Sequence, residues 1–231
     1  GALPDTLDFI GPAEATVFER QPQIRYTSGA WAFALENNDT TIYPGANAGR
    51  ISTDSGSLPD ATGRYTFSGD WGNFVVAGLL RQLKYEDSAD DDTVGYGISL
   101  SGKFNVFERD DIKWMATAGS AMGRYIGLNF AAGAAADANG DLEEIDSWGA
   151  FAAYRHFWSD KYRSTIQAGY LEVDNPNEAG DIANKTAYNA SVNLIYQPVA
   201  KFFFGGEVKY ASREIENGTD VIVPCGTTGE S

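Results

Sequence analysis

From Val94 to Lys103 the chain alternates without a break: Val94, Tyr96, Ile98 and Leu100 occupy one parity, Gly95, Gly97, Ser99, Ser101 and Lys103 the other. A period of two is a β-strand, because successive side chains leave opposite faces of the pleat. The unusual part is the partition. A strand that closes a water-soluble core keeps its bulk inside and its charge outside, whereas here Gly and Ser stand opposite the bulk. The small, cationic face therefore lines space or is filled by loops, and the bulky face needs an apolar medium.

The same scheme recurs along the chain. Val17–Tyr26 carries Glu19, Gln21, Gln23 and Arg25 on one parity and mostly apolar residues on the other, with Arg20 as the misfit. After the turn Thr27–Ala30, Trp31, Phe33 and Leu35 oppose Ala32, Ala34 and Glu36. Further strands are expected from Gly63 to Ser68, Asn73 to Tyr85, Lys113 to Met122, Trp148 to Trp158, Ser164 to Glu172, Tyr188 to Tyr196 and Phe202 to Arg213. Between them short turns alternate with long segments such as Asn37–Ala61 and Gly123–Asp146, which are rich in turn-forming and acidic residues. About ten strands sorted in this way predict an all-β fold, an up-and-down antiparallel transmembrane β-barrel. Trp31, Phe67, Trp71, Phe74, Phe157, Trp158, Tyr162, Tyr196, Phe202 and Phe203 cluster beside the short turns and suit an interfacial aromatic girdle.

The stretch Gly1–Pro12 fits no period. Pro4 and Pro12 remove donors, while Leu3, Leu7, Phe9 and Ile10 are more apolar than a solvated loop requires. The expectation is a loop that docks inside the larger structure, with those apolar residues as anchors and with Asp5 and Asp8 carried along. The formal net charge of −15 argues against a nucleic-acid partner, which needs clustered Lys and Arg. No run approaches the roughly 20 apolar residues of a transmembrane helix, a test that strands escape. Cys225 is the only cysteine, so neither an intrachain disulfide nor a thiolate metal cluster can form.

Two possible chemistries are weak. Asp137, Asn139 and Asp141 alternate as calcium ligands do, but Gly140 falls too early and Trp148 stands where an EF-hand has its bidentate Glu. No cofactor is expected beyond divalent cations spread over the acidic loops, which include Asp87 and Asp90, and bridging them to lipopolysaccharide. His156, Ser159 and Asp160 are too close together at a strand end to make a hydrolase triad, so no enzyme is expected.

Leu3-Pro-Asp-Thr-Leu-Asp-Phe-Ile-Gly-Pro12, then Arg20-Gln-Pro-Gln-Ile-Arg-Tyr26, Arg155-His-Phe-Trp158 and Gly206-Glu-Val-Lys-Tyr210, resemble the DcaP-like porins of Gram-negative outer membranes. The resemblance implies a homotrimer of barrels of about sixteen strands, an even number as such barrels usually have. Residues 1–231 would then be part of a single barrel domain, with strands missing at both ends and no final strand after Asn217. Residues 1–14 would be an inward-folded constriction loop, and residues 15–231 the barrel strands with their short turns and long extracellular loops. It also implies passive diffusion of small organic anions such as dicarboxylates.

Charge on the lipid face near the midplane costs roughly 2–4 kcal/mol, so parity puts the charged strand residues on the lumen face. Arg25, Arg64, Arg81, Lys103, Arg155, Lys209 and Arg213, together with Glu19 and Glu207, are the expected pore-lining and substrate-binding residues, facing Asp5 and Asp8 across the passage. The alternative function is a structural or adhesive outer-membrane barrel that uses its long acidic loops as binding surfaces.

Overall fold

The computed structural model describes residues 3–53, 56–85, 91–218 and 220–222. Asp87, Asp90 and Cys225 lie outside them. In chain order the first strands are β1 (Gln23–Ser28), β2 (Trp31–Glu36), β3 (Thr40–Tyr43), β4 (Ile51–Thr53) and β5 (Asp60–Gly69). There follow β6 (Gly72–Tyr85), β7 (Asp91–Val106), β8 (Asp110–Ser120), β9 (Ala134–Ala136) and β10 (Leu142–Glu144). The last are β11 (Asp146–Phe157), β12 (Tyr162–Asp174), β13 (Asn184–Val199), β14 (Phe202–Ile215) and β15 (Asp220–Ile222).

Eleven of these form one sheet in the order β1-β2-β5-β6-β7-β8-β11-β12-β13-β14-β15, every neighbouring pair antiparallel. Its short turns suit tight reversal. Gly29 turns β1 into β2 at a φ of 56°, and a Cβ at Gly72 would overlap the Lys103 carbonyl of the adjacent strand.

The register confirms the partition read from β7. Val94, Tyr96 and Ile98 are exposed on a face shared with Leu80, Ile166, Val192, Leu194 and Val208, a broad apolar surface. At its short-turn end the aromatic rings touch in succession, Trp31 to Tyr65 at 4.6 Å, Tyr65 to Phe67 at 4.6 Å, Phe67 to Phe74 at 5.9 Å and Phe74 to Trp114 at 5.9 Å. Tyr162, Tyr196 and Phe204 continue the belt on later strands. Phe157 departs from it. Its register partner is Arg163, which puts it on the opposite face beneath the guanidinium groups of Arg109 and Arg155.

The two long segments expected as loops contain strands of their own. β3 and β4 from the first, and β9 and β10 from the second, make a separate sheet in the order β10-β9-β3-β4. Its central pair is parallel, with Ile42 against Ala134. Ile42, Ala134, Ala136 and Leu142 bury Leu83 of β6, while Tyr43, Met122, Ile126, Ala135 and Ile145 pack around Leu171 and Val173 of β12. The core thus lies between the polar face of the main sheet and the long segments folded onto it.

Two expected boundaries move. The strand foreseen from Val17 begins only at Gln23, since Pro22 interrupts it and Val17 makes one isolated bridge to Ile126. Arg20 is then exposed on an irregular segment, its guanidinium over the Phe18 ring, so its parity no longer conflicts with a face. At the other end β15 pairs with β14, so a short strand does follow Asn217.

Candidate functional site

The opening segment, Leu3 to Thr16, lies along the polar face of β8 and β11–β14. It is held there at successive points. Lys113 Nζ donates to the Leu3 carbonyl at 2.8 Å, and Asn193 Nδ2 to the Asp5 carbonyl at 2.9 Å. The Asp5 carboxylate sits between two arginines, 2.6 Å from Arg163 Nε and 3.3 Å from Arg155 Nη1. Leu7 N donates to Glu207 at 3.0 Å, Asp8 pairs with Lys209, and Lys209 also reaches the Gly11 carbonyl at 2.9 Å. Burial pushes the Asp5 carboxyl up, but the hydrogen bonds and charges of Arg163 and Arg155 outweigh it and hold it below its usual range.

Polar contacts rather than apolar ones provide the anchoring. Ile10 is buried, but Phe9 is 77% exposed and Leu7 37%, so two of the four expected apolar anchors are not buried. Nor do Asp5 and Asp8 face the cations across a gap. They touch them, and the charge is largely neutralised in place.

Behind this segment the ion pairs continue along the strands. Asp111 joins Arg155 and lies 3.9 Å from Lys103. Arg163 also donates to Gln197 at 2.9 Å and caps the Phe203 ring. Sequence reading assigned Arg163 to a turn and passed over Asp111 and Lys113. The signal was present, because the alternation Arg163, Thr165, Gln167 extends the strand by one more polar position.

Arg25 and Arg64 occupy the other side of the same face, on β1 and β5. They are two strands apart, roughly 10 Å by ordinary strand spacing, with only Ala32 and Ala34 of β2 between them. Both are exposed, and neither has an ion-pair or hydrogen-bond partner among the described residues. They line a cleft of about 340 Å³ floored by small residues, Ala32, Ala34, Ala77, Gly97 and Ser99, and walled by Val17, Leu79, Met122 and Tyr125.

Two carboxylates also line this cleft, Glu19 and Glu36, and both bond to groups other than Arg25 and Arg64. Glu36 accepts from Thr62 at 2.8 Å and Gln21 at 2.7 Å, and Glu19 lies 3.4 Å from Arg124. Glu19 is therefore on the irregular segment, paired with an arginine that parity could not find because it lies in a loop.

Arg81 is on the expected face but not open to it. It is 3% exposed, 3.4 Å from Asp60, and donates to the carbonyls of Met122 at 3.1 Å and Asp39 at 2.8 Å. Tyr125 OH donates to Asp60 at 2.9 Å, so this cluster fastens the folded segments to β5 and β6. Arg81 is a structural tether rather than a lining residue, covered by the very segments that were expected to project outward. Arg213 is exposed on β14 and shares the polar face with Lys209 and Glu207.

The remaining candidates are accounted for locally. Asp137 Oδ1 accepts from the amides of Asn139 at 2.7 Å and Asp141 at 2.9 Å, closing its own turn, and no group of carboxylates suited to a metal occurs among the described residues. His156 Nδ1 is 2.7 Å from Asp110, Ser159 Oγ accepts from the amides of Lys161 and Tyr162, and Asp160 pairs with Arg109. The three are committed to different partners.

A profile of the DcaP outer membrane protein family matches residues 2–221. No curated protein sequence matches the chain. Among solved structures, the crystal structure of the outer membrane channel DcaP of Acinetobacter baumannii superposes with a TM-score of 0.81 at 22% identity, over 96% of this chain. The chain spans 64% of the length of that channel. At that identity the likeness establishes the fold.

Proposed function

The chain belongs to the DcaP outer membrane protein family, and we propose that it is the larger part of a channel through which small hydrophilic solutes diffuse, organic anions such as dicarboxylates being favoured. It is a Gram-negative outer-membrane protein and not an enzyme. The polar face of the main sheet is read as the channel wall, the apolar face as the lipid contact, and Leu3–Thr16 as the segment that narrows the passage. A homotrimer, set in lipopolysaccharide bridged by divalent cations at the acidic loops, belongs to the same reading.

One observation carries the anion preference. Arg25 and Arg64 stand side by side on a small-floored cleft with no carboxylate committed to them among the described residues. Two adjacent cations with no ion-pair partner attract a carboxylate, and charged side chains that line a wide pore set its selectivity. The intact channel in a planar bilayer should give ohmic conductance with a reversal potential leaning toward the anion. Purified channel that conducts nothing would defeat the transport reading.

A further inference from the structure

Residues Ala13–Ala15 form a single short turn of 3-10 helix within the docked segment, and its Glu14 is 9% exposed. The wall is shaped to receive this turn. A Cβ at Gly169 of β12 would overlap Glu14 Oε1, and one at Gly149 of β11 would lie 3.4 Å from the Ala15 Cα. Thr16 closes the turn from below, its hydroxyl donating to the Pro12 carbonyl at 2.8 Å.

The carboxyl itself is half satisfied. Oε2 accepts from Asn189 Nδ2, whereas Oε1 is buried with no partner. Asn189 in turn accepts from Gln167 Nε2 at 2.6 Å, and the Gln167 Oε1 is also a buried acceptor without a donor. Adding one proton to Glu14 removes the buried negative charge while the other carboxyl oxygen can keep its Asn189 contact. Leaving it off buries an anion beside Gly169 and Asn189. The charged groups that do face it are Lys209 of β14, which favours the anion, and Asp8 of its own segment, which opposes it. Burial is the largest influence and pushes the carboxyl above its ordinary value.

We propose that Glu14 is a proton-operated latch: its neutral carboxyl seats the Ala13–Ala15 turn on Gly149 and Gly169 and holds the Leu3–Thr16 segment down, and its ionisation loosens that segment. A group that binds its proton more tightly when docked stabilises docking in acid. That contribution is complete below the free carboxyl value of 4.5 and is lost as pH rises through the raised docked value. Each unit by which docking raises the value corresponds to tenfold in the docking equilibrium.

The test takes the intact channel through pH 4 to 8, and measures single-channel current in bilayers and amide hydrogen exchange of residues 10–16 in detergent, corrected for intrinsic rates. Wild type should show severalfold stronger protection and a quieter, narrower channel in acid. Glu14→Gln, neutral at every pH and the same shape, should keep the acid behaviour throughout, and Glu14→Ala should show the loose state throughout. An unchanged pH step in Glu14→Gln, or equal protection across the range in wild type, overturns the latch. The latch stands even on a silent channel if protection follows pH and Glu14→Gln removes the dependence. That outcome would defeat only the transport reading, on which the current measurement rests.

Discussion

The two sides of the polar face carry the same kind of residue and put it to different use. Along β8 and β11–β14, Lys113, Arg155, Arg163 and Lys209 are each engaged by the docked segment, through the Leu3 carbonyl, Asp5, Asp5 again and Asp8. Along β1 and β5, Arg25 and Arg64 meet no such strap and face the cleft. On the proposed channel wall an arginine would be a structural clamp or a solute contact according to whether a carboxylate lies within reach. The strap spends its acids on one side and leaves Arg25 and Arg64 on the other without a direct ion-pair partner among the described residues.

The largest effect expected from this contrast concerns Arg81, which by strand belongs with the open side but is buried and paired. Asp60→Asn would leave it as an uncompensated buried charge and should cost about 3–5 kcal/mol of stability. Ion selectivity should stay unchanged, and denaturant unfolding together with reversal potentials would check both halves of the statement. Should selectivity change while stability holds, Arg81 belongs to the open side after all.

Next comes Asp5→Asn, which leaves Arg163 with the neutral Gln197 and Arg155 with Asp111 alone. Docking of the segment should weaken by about 1–3 kcal/mol, the usual penalty for leaving polar partners unsatisfied, and the channel should become more anion-selective. The combined change Arg25→Glu and Arg64→Glu should do the reverse, moving the permeability ratio toward cations on the order of tenfold, equivalent to ~1.4 kcal/mol, with no loss of stability. If instead Arg155→Glu shifts the ratio as far while Arg25→Glu does nothing, the division of labour is the wrong way round.

The smallest effect is one of pH. Because the docked Asp5 carboxyl is held below its free value of 3.8, its contribution to docking is complete above that value and fades as pH falls through the lowered one. Glu14 acts in the opposite sense from the other end of the scale, so the segment should be most firmly docked in mild acid. Exchange protection measured against pH should pass through a maximum there. A steady rise from acid to alkali would leave Asp5 as the only titrating clasp.

Much of this was legible beforehand because it is local. The parity of Arg25, Arg64, Lys103, Arg155, Glu207, Lys209 and Arg213 follows from the pleat, and a strand displays that pleat within a few residues of sequence. The docking of the opening segment was legible in outline, but its apolar residues were the wrong reason, since Asp5 and Asp8 hold it and Phe9 stays exposed. Glu14 was not, because a short turn has no period and the glycines that receive it lie on strands far along the chain. Arg163 was lost through a boundary set one polar position too late.

The amino-acid sequence alone determined the antiparallel architecture, the apolar and polar faces of each strand and the sorting of short turns from long segments. All of these depend on neighbours one to ten residues away. Only the tertiary structure decided which cations are neutralised, that Arg81 is covered, that β3 and β9 pair in parallel and that Phe9 stays exposed. Those outcomes depend on contacts between residues as distant as Asp8 and Lys209, where charge and shape are matched in space and no window of sequence contains both partners.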